Sequence, residues 1–451
     1  MKILIVGTGK LGRYLASTLV HENYDVTVID KNESVLERLN NSLDIYTVNG
    51  NGLVVDTLLD ADIKDTDIII SCMKNDEDNI LCSLLAKKLG AKNTIARVRN
   101  PEYLKSVRYM KDNLGLDMSI NPEYLTAKEM NRSLKYSNNV KISFLSKGKV
   151  ELLEFKLKKD NPLIGIYLKD IKTIIKSKFI VVAVVHNDKI IVPNGEYIFH
   201  ENDKILITAT PNNITNIFKK MNANYIKIKD VMIVGGSKIA YYLTKNLLED
   251  NINVKIIEND INKCNELNDK LNKAMIINAD GSDKFMLTEE GIENTDAFIA
   301  TTNMDEENVV LSIFANSFNV PKIITKINHL NFGEVLESIG IENVVTPHVI
   351  ASNHILRYIR AKENSIGGNM ESLIKLMDDE LEIMDFKINS DFKYIGKNLK
   401  NIKFKKNIIV VCIKRKGEII FPTGDDVIET NDNIIIATTN PSTKGLSDIL
   451  R

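Results

Sequence analysis

Residues 2–20 read KILIVGTGKLGRYLASTLV, and residues 230–248 read DVMIVGGSKIAYYLTKNLL. Each is an apolar strand-like run, a glycine turn and an amphipathic helical pattern. The first contains a GxGxxG run, Gly7-Thr8-Gly9-Lys10-Leu11-Gly12, and the strand-like run that follows ends in an acid, Asp30, 23 residues after Gly7. That spacing is the dinucleotide-binding fingerprint of a βαβ unit. Gly7 permits a tight turn, Gly9 lets backbone approach a pyrophosphate, and Gly12 lets helix and strand pack closely. The helix N-terminus then presents free N–H groups to the phosphates. Asp30 is placed to accept bonds from the adenosine ribose hydroxyls and to repel a 2'-phosphate. NAD(H) is therefore expected over NADP(H), a discrimination that Lys31 weakens. The competing reading is a turn that needs its glycines for geometry alone.

The second copy, Gly235-Gly236-Ser237-Lys238-Ile239-Ala240, keeps the turn but has alanine for the third glycine, and its acid is Glu258. An altered nucleotide site is expected there, with a packing pseudo-repeat as the alternative. The repeat continues. DTDIIISCMKNDEDNI (65–80) is echoed by NTDAFIATTNMDEENVV (294–310), and Leu114–Pro122 by Ile339–Pro347. A second kind of segment also occurs twice, VELLEFKLKKDNPLIGIYLKDI (150–171) and LEIMDFKINSDFKYIGKNLKNI (381–402). Each is followed by an apolar strand, a charged turn, a Pro-x-Gly and an acidic turn. The chain thus reads A-B-A'-B', where 451 residues alone suggest about three domains.

The A units alternate strand-like runs (Ile3–Val6, Val26–Ile29, Ile68–Ile70) with helical patterns (Leu11–Val20, Glu33–Asn40, Asn79–Leu89). This predicts an α/β class with two Rossmann-like, doubly wound parallel sheets. The B units read as small α+β modules. The expected domains are 1–138, 139–222, 229–362 and 370–451, with boundaries near Asn138–Lys149, near Asn222–Lys229 and in the loop AKENSIGGNM from Ala361. Further ligand positions lie where strands of a parallel sheet end. These are Asn51 with its echo Asp280, Met73 and Lys74 with Thr302 and Asn303, and Arg97 with Lys326. A cation at the last place suits a phosphate. The acidic runs at 76–78 and 305–307 read as helix starts, where acids oppose the dipole favourably.

Composition narrows the function. With 59 basic and 60 acidic residues, nothing draws the whole chain to nucleic acid. The four cysteines form no CxxC pair, so neither a zinc nor a disulfide framework is indicated. No run approaches the roughly 18 apolar residues of a membrane span, nor does the N-terminus read as a signal peptide. A cytoplasmic protein is expected. No GxxxxGK[ST] occurs, and the six histidines show no catalytic pattern and read as surface or packing residues, as Cys72 reads as a buried small side chain. A dinucleotide site without an evident acid/base favours sensing over catalysis. An NAD-dependent oxidoreductase with an unrecognised substrate site is the alternative, and a structural adaptor with vestigial sites is a third.

MKILIVGTGKLG, VTVID to Asp30, KNDEDN from Lys74 and IARVRNPEY from Ile95, with VMIVGGSKIA, KIIEND and TNMDEENVV in the second half, together resemble the TrkA family. These are the peripheral regulatory subunits of Trk potassium-uptake systems. The A units look like RCK-N (KTN) domains and the B units like RCK-C domains. The resemblance implies a non-enzyme that docks on an integral membrane Trk channel subunit at the inner face of the cell membrane. It also implies NAD(H) as ligand with ATP or ADP competing at the same sites, a helix at Tyr124–Tyr136 that pairs the domains, and a homodimer or homotetramer. By position, the family's contacts fall on Gly7 to Leu11, Asp30, Met73, Lys74 and Arg97. In the second half they fall on Gly235 to Ile239, Glu258, Thr302, Asn303 and Lys326. The departures, Ala240 for glycine and Lys326 for arginine, bear on affinity at the second site.

Overall fold

The structure is a computed structural model. It describes residues 1–134, 140–145, 150–220, 228–329, 336, 339–341, 343–364, 370–377, 380–440 and 446–450. The chain divides into two compact units, Met1–Arg132 with Ile228–Leu356, and Ser133–Lys227 with Arg357–Arg451.

The first unit holds two parallel sheets. In the first half the order of elements is β1 (Lys2–Val6), α1 (Lys10–His21), β2 (Asp25–Asp30), α2 (Glu33–Ser42), β3 (Tyr46–Asn49), α3 (Val55–Asp60), β4 (Ile68–Ser71), α4 (Asp76–Leu89), β5 (Asn93–Arg97), α5 (Leu104–Asn113), β6 (Met118–Ile120) and α6 (Pro122–Ser133). The sheet order is β3-β2-β1-β4-β5-β6. Strand order therefore reverses between β1 and β4, and ligand crevices form at such a switch point. α1 turns Leu11, Gly12, Leu15, Ala16 and Leu19 inward at helical spacing. β1 and β4 are buried along nearly their whole length, which is why they read as unbroken apolar runs.

The first antiparallel sheet comprises β7 (Val140–Leu145), β8 (Val150–Lys156), β9 (Phe179–His186), β10 (Lys189–Ile191) and β11 (Lys204–Ala209), with helices α7 (Ile171–Ile174) and α8 (Pro211–Lys220). The second parallel sheet is built from β12 (Asp230–Val234), α9 (Lys238–Glu249), β13 (Asn253–Glu258), α10 (Ile261–Lys270), β14 (Met275–Asn278), α11 (Lys284–Glu289), β15 (Ala297–Ala300), α12 (Asp305–Ser317), β16 (Lys322–Lys326), β17 (Val344–Val345) and α13 (Pro347–Asn364). Its order, β14-β13-β12-β15-β16-β17, repeats the first. The last sheet holds β18 (Met370–Leu376), β19 (Leu381–Lys387), β20 (Ile408–Arg415), β21 (Glu418–Ile420) and β22 (Asn433–Thr438).

In the second unit the sheets order as β10-β9-β11-β8-β7 and β18-β19-β22-β20-β21, and every pairing is antiparallel. Val150, Leu152, Val182 and Leu206 pack against Leu381, Ile383, Val411 and Ile435, so one face of each sheet covers the other. The opposite faces carry cores of their own. Burial on both faces explains why these strands read as apolar runs and not as alternation. The charged turn at 186–189 is a tight hairpin with Asn187 and Asp188 both at positive φ (47° and 58°), a conformation those residue types tolerate.

Three sequence readings are refined. β7 runs through the stretch 138–149 read as a boundary, whose residues 138–139 and 146–149 lie outside the described set, as do 222–227. Of the stretch from Ala361 to Met370, the first four residues finish α13 and Met370 opens β18; residues 365–369 are outside the described set. The helix expected at 124–136 is α6, which starts two residues earlier at a proline that suits a first helical position; Lys135 and Tyr136 are not described.

Candidate functional site

The first loop is held in place by close backbone approaches. Gly7 sits at φ +102°, and a Cβ there would meet the backbone of Cys72 and Met73 at 2.9 Å. A Cβ on Gly12 would lie 2.0 Å from the Gly7 carbonyl oxygen. Gly9 is the N-cap of α1, and no atom lies within 4 Å of where its Cβ would be. The helix N-terminus therefore opens to space with its first N–H groups available to an anion. Asp30 folds onto this loop. Its Oδ2 accepts the Thr8 N–H and hydroxyl, both at 2.6 Å, and its Oδ1 accepts the Asn32 N–H at 2.9 Å. Burial raises the carboxyl pKa, but the Thr8 hydroxyl and amide and the Asn32 and Lys31 amides outweigh it and hold the group below its ordinary value. The carboxylate stays ionised and is already engaged by the Thr8, Asn32 and Lys31 donors, so a ribose hydroxyl would share it with, or displace, one of these.

The loop after β4 is braced by a residue that motif matching passed over. Asn79, fully buried, accepts the Met73 N–H at 2.6 Å and donates to the Met73 and Arg97 carbonyls at 3.1 and 3.0 Å. Arg97 donates to the Met73 carbonyl and, at 3.4 Å, to that of Lys74. Arg99 also reaches the Lys74 carbonyl, at 2.8 Å. Asp76, the first residue of α4, accepts the N–H groups of Arg99 and Asn100. The acidic run 76–78 is thus the first turn of the helix, with Asn75 as N-cap. Asn51 stabilises its own turn through the Leu53 N–H. Four buried polar atoms in this corner have no hydrogen-bond partner: Arg97 Nε, Arg99 Nε, Asp76 Oδ1 and Glu123 Oε2. The ion pairs Arg99–Asp76 and Arg99–Glu123, at 3.7 and 3.8 Å, are too long to be hydrogen bonds. Burial, and next Arg99, lowers the Arg97 pKa. Such a cluster of unsatisfied donors and acceptors is suited to a polar ligand.

The second half repeats this plan with changed residues. Gly235 is at φ +97° against the backbone of Thr301 and Thr302. Glu258 Oε2 accepts the Gly236 N–H at 2.7 Å, as Asp30 accepts that of Thr8. Asn308 brackets Thr302 and the Lys326 carbonyl. Lys326 Nζ donates to the Thr302 carbonyl at 2.6 Å, and Asp305 accepts from Asn328 and His329. Asp280 is engaged by Ser282, which lowers its pKa. A difference beyond Ala240 emerges here. Ser237 stands where the first loop has Gly9, and its hydroxyl accepts the Ala240 N–H at 3.3 Å while its own N–H turns back to the Gly235 carbonyl at 2.9 Å. One amide that the first helix leaves open is therefore satisfied internally, and a side chain occupies the open approach. The second loop fits a phosphate less well than the first.

A cavity of about 1070 Å³ brings all the expected second-half residues together: Gly235, Gly236, Ser237, Lys238, Ile239, Glu258, Asp280, Thr302, Asn303 and Lys326. From the first half it takes Lys10, Leu11 and Arg97, with Arg99 and Glu123. Gly7, Thr8, Gly9, Gly12, Asp30, Asn51, Met73 and Lys74 do not line it. The halves also meet through Tyr242, whose hydroxyl donates to the Arg99 carbonyl and accepts from Asn121. The electrostatics cross over. Burial first, and then Lys10, lowers the pKa of both Lys326 and His348, and Lys238 contributes to lowering that of Glu77 behind the Tyr103 hydrogen bond. Lys10 of the first loop and Lys238 of the second both line this cavity. Cys72 is buried and its thiol is pushed up to about 12 by burial, so it packs as a neutral side chain.

Fold and site together define a protein with two Rossmann-type nucleotide-binding modules in one chain, each followed by an antiparallel module. The TrkA-N domain family matches residues 3–122 and 231–347, and the TrkA-C domain family matches 152–222 and 383–451. The chain belongs to the TrkA family. It is 30% identical to the Trk system potassium uptake protein TrkA homolog 2 of Methanosarcina mazei, over the full length of both. It is 28% identical to TrkA of Vibrio alginolyticus, over 100% of this chain and 98% of that one. Among solved structures, the GsuK channel bound to NAD matches with a TM-score of 0.62 at 16% identity, covering 97% of this chain and 77% of that one. That likeness is one of fold.

Proposed function

We propose that this chain is the nucleotide-sensing regulatory subunit of a Trk-type potassium-uptake system. In this reading NAD(H), with ATP or ADP competing, binds at the carboxyl ends of β1 and β12. The family membership over the whole chain supports the role, and the open N-terminus of α1 beside Asp30 is the observation that carries the ligand class. The ligand is bound and not turned over. Gly9 and α1 hold phosphate, Asp30 holds ribose, and the Arg97 and Arg99 side chains take up the anionic charge. Binding then biases one arrangement of the chain by the difference in affinity between its states. The proposed domains are 1–138, 139–222, 229–362 and 370–451. The partner is an integral membrane channel subunit, reached peripherally by a self-associating regulator. Among the described residues no helix is long and apolar enough to cross a membrane.

The test is thermal stability under titration with NADH, NAD, ATP and ADP, on the wild type and Asp30→Ala. Ligands that bind the folded state raise the melting temperature. The expected outcome is a rise in the wild type that Asp30→Ala loses, with no consumption of NADH, and co-purification with the co-expressed channel. Steady oxidation of NADH with a small substrate overturns the sensing role, and the lack of any nucleotide shift overturns the ligand.

A further inference from the structure

The first antiparallel module carries a cluster that its duplicate lacks. His186 ends β9, and His200 and Asp203 lie in the turn before β11. Antiparallel pairing of the two strands, with Lys204 opposite Val185, brings the three together. One donor atom from each lies within 4.8 Å of the others. Asp203 is 1% exposed, while His186 is half-buried and His200 exposed. Two donors hold Asp203 Oδ2, the Tyr197 hydroxyl at 2.7 Å and the His200 N–H at 2.8 Å. Oδ1 is thereby turned to His186 Nδ1, 2.7 Å away. His200 Nδ1 stands 3.8 Å from the carboxylate, and the imidazole centroids are 4.6 Å apart.

The duplicate is an internal control. The corresponding residues are Arg415, Glu429 and Asp432. Arg415 donates to both Asp432 oxygens, at 2.9 and 2.8 Å, and pairs with Glu429 at 2.6 Å, while the Glu429 N–H repeats the His200 bond to the aspartate. A permanent guanidinium neutralises that buried carboxylate. In the first module two imidazoles stand where the second has an arginine and a glutamate. Two imidazoles and an oriented carboxylate form a donor set for borderline divalent metals, and three protein ligands leave a fourth position to solvent. Ordinary zinc–ligand lengths put neighbouring donors about 3.3 Å apart. The His186–Asp203 contact opens by about 0.6 Å to accept an ion, and the exposed His200 ring closes on it. Tyr197 and the His200 amide orient the carboxylate from behind.

The geometry points to a divalent transition-metal site of the zinc class at His186, His200 and Asp203, present in the first module and replaced by an ion pair in the second. A bound ion ties the 200–203 turn to the end of β9, and gives the chain an input chemically separate from nucleotide.

The experiment is calorimetric titration of the full-length protein with ZnCl2, with the visible spectrum of Co2+ as a second readout. The wild type is expected to bind one ion per chain at this site. His200→Ala, which truncates an exposed ring, is expected to lower affinity at least tenfold and to remove the tetrahedral Co2+ bands while leaving the metal-free melting temperature in place. His186→Arg, which installs the pairing seen at Asp432, is expected to stay folded and lose the site. No zinc binding by the wild type overturns the proposal, as does equal affinity in wild type and both variants. A melting temperature that responds to protonation of the histidines and not to zinc also overturns it, and assigns the pair to neutralising Asp203.

Discussion

Gly12→Ala tests how the first loop works. The added Cβ would lie 2.0 Å from the Gly7 carbonyl oxygen and 3.1 Å from Cys72 Sγ. Backbone sits on one side and a buried thiol on the other, so α1 and the loop must separate by more than about 1 Å to reach ordinary contact. Overpacking of this kind costs about 1–3 kcal/mol, and alanine's better helix propensity offsets about 0.8–1 kcal/mol of it. The net loss is at most about 2 kcal/mol, or a fall of up to about 8 °C in melting temperature for a unit of this size. The shift also withdraws the α1 amides from a bound phosphate. A hydrogen bond to a charged acceptor contributes about 1.5–3 kcal/mol, so losing one weakens binding about 10- to 100-fold. Differential scanning fluorimetry with and without NADH, followed by calorimetry, reads both quantities. Ala240→Gly serves as the contrast, because the second loop already accommodates its alanine through the Ser237-to-Gly235 turn. A Gly12→Ala protein with wild-type melting temperature and wild-type affinity for NADH refutes the claim that this contact sets the loop.

Asn79→Ala removes three hydrogen bonds at a fully buried position; a loss of about 2–4 kcal/mol is expected in urea unfolding, and a loss under about 0.5 kcal/mol would show that the brace is dispensable. Asp385 is raised to about 6 by burial, against the Asn433 hydrogen bond. The folded state therefore keeps a proton that the unfolded chain releases near its ordinary 3.8, and the stability from this group is full below pH ~4 and is lost as pH rises to ~6. Asp385→Asn should flatten that fall, which is on the order of 3 kcal/mol, in unfolding curves taken from pH 4 to 7; an unchanged slope refutes the assignment. Ser237→Gly, in an Asp30→Ala background that weakens the first site, frees the Ala240 amide and should raise nucleotide affinity in the second half by calorimetry, whereas no gain would show that Ser237 does not limit that site.

The nucleotide fold was legible because its signals are local. Glycine turn, helix and strand-ending acid lie within 23 residues of Gly7, and the repeat supplied a second reading of each. What the sequence concealed depends on side-chain direction. Arg97 reads as a phosphate cation, and the sequence does not show that its guanidinium also braces the loop after β4 through the Met73 and Lys74 carbonyls. Asn79 and Asn308 were visible as repeated positions, but an asparagine inside a helix reads as polar surface until its amide is seen bracketing a loop. The substitution of Ser237 for Gly9 lay in plain view and was masked by Gly236, which keeps the loop rich in glycine one residue out of register. His186, His200 and Asp203 are separated by a hairpin, and the spacing carries no period of helix or strand. Comparison with Arg415, Glu429 and Asp432 was the signal available.

The two halves differ at four positions around the glycine loops and the strand ends: Gly9 against Ser237, Gly12 against Ala240, Arg97 against Lys326, and Glu123 against His348. In a symmetric homodimer any substitution enters both sites at once, because each subunit presents the same residues to the axis. Two copies on one chain lift that constraint. The scaffold positions Asn79 and Asn308, Asp76 and Asp305, and Gly7 and Gly235 keep their roles, since each holds backbone that both sheets need. Of the divergent positions, Arg97, Lys326, Glu123, His348 and Ser237 line the cavity, whereas Gly12 packs against the Gly7 carbonyl and Cys72. The first loop leaves its helix terminus open, while the second satisfies part of its own and receives the field of Lys10 from the other half. Physical complementarity to a phosphate is therefore unequal by construction. If both loops bind nucleotide as proposed, unequal sites fill in order as nucleotide rises, and each filling step can bias the chain only by its own differential affinity. On the proposed function, the tandem arrangement would give a graded response where two equal independent sites would share one midpoint.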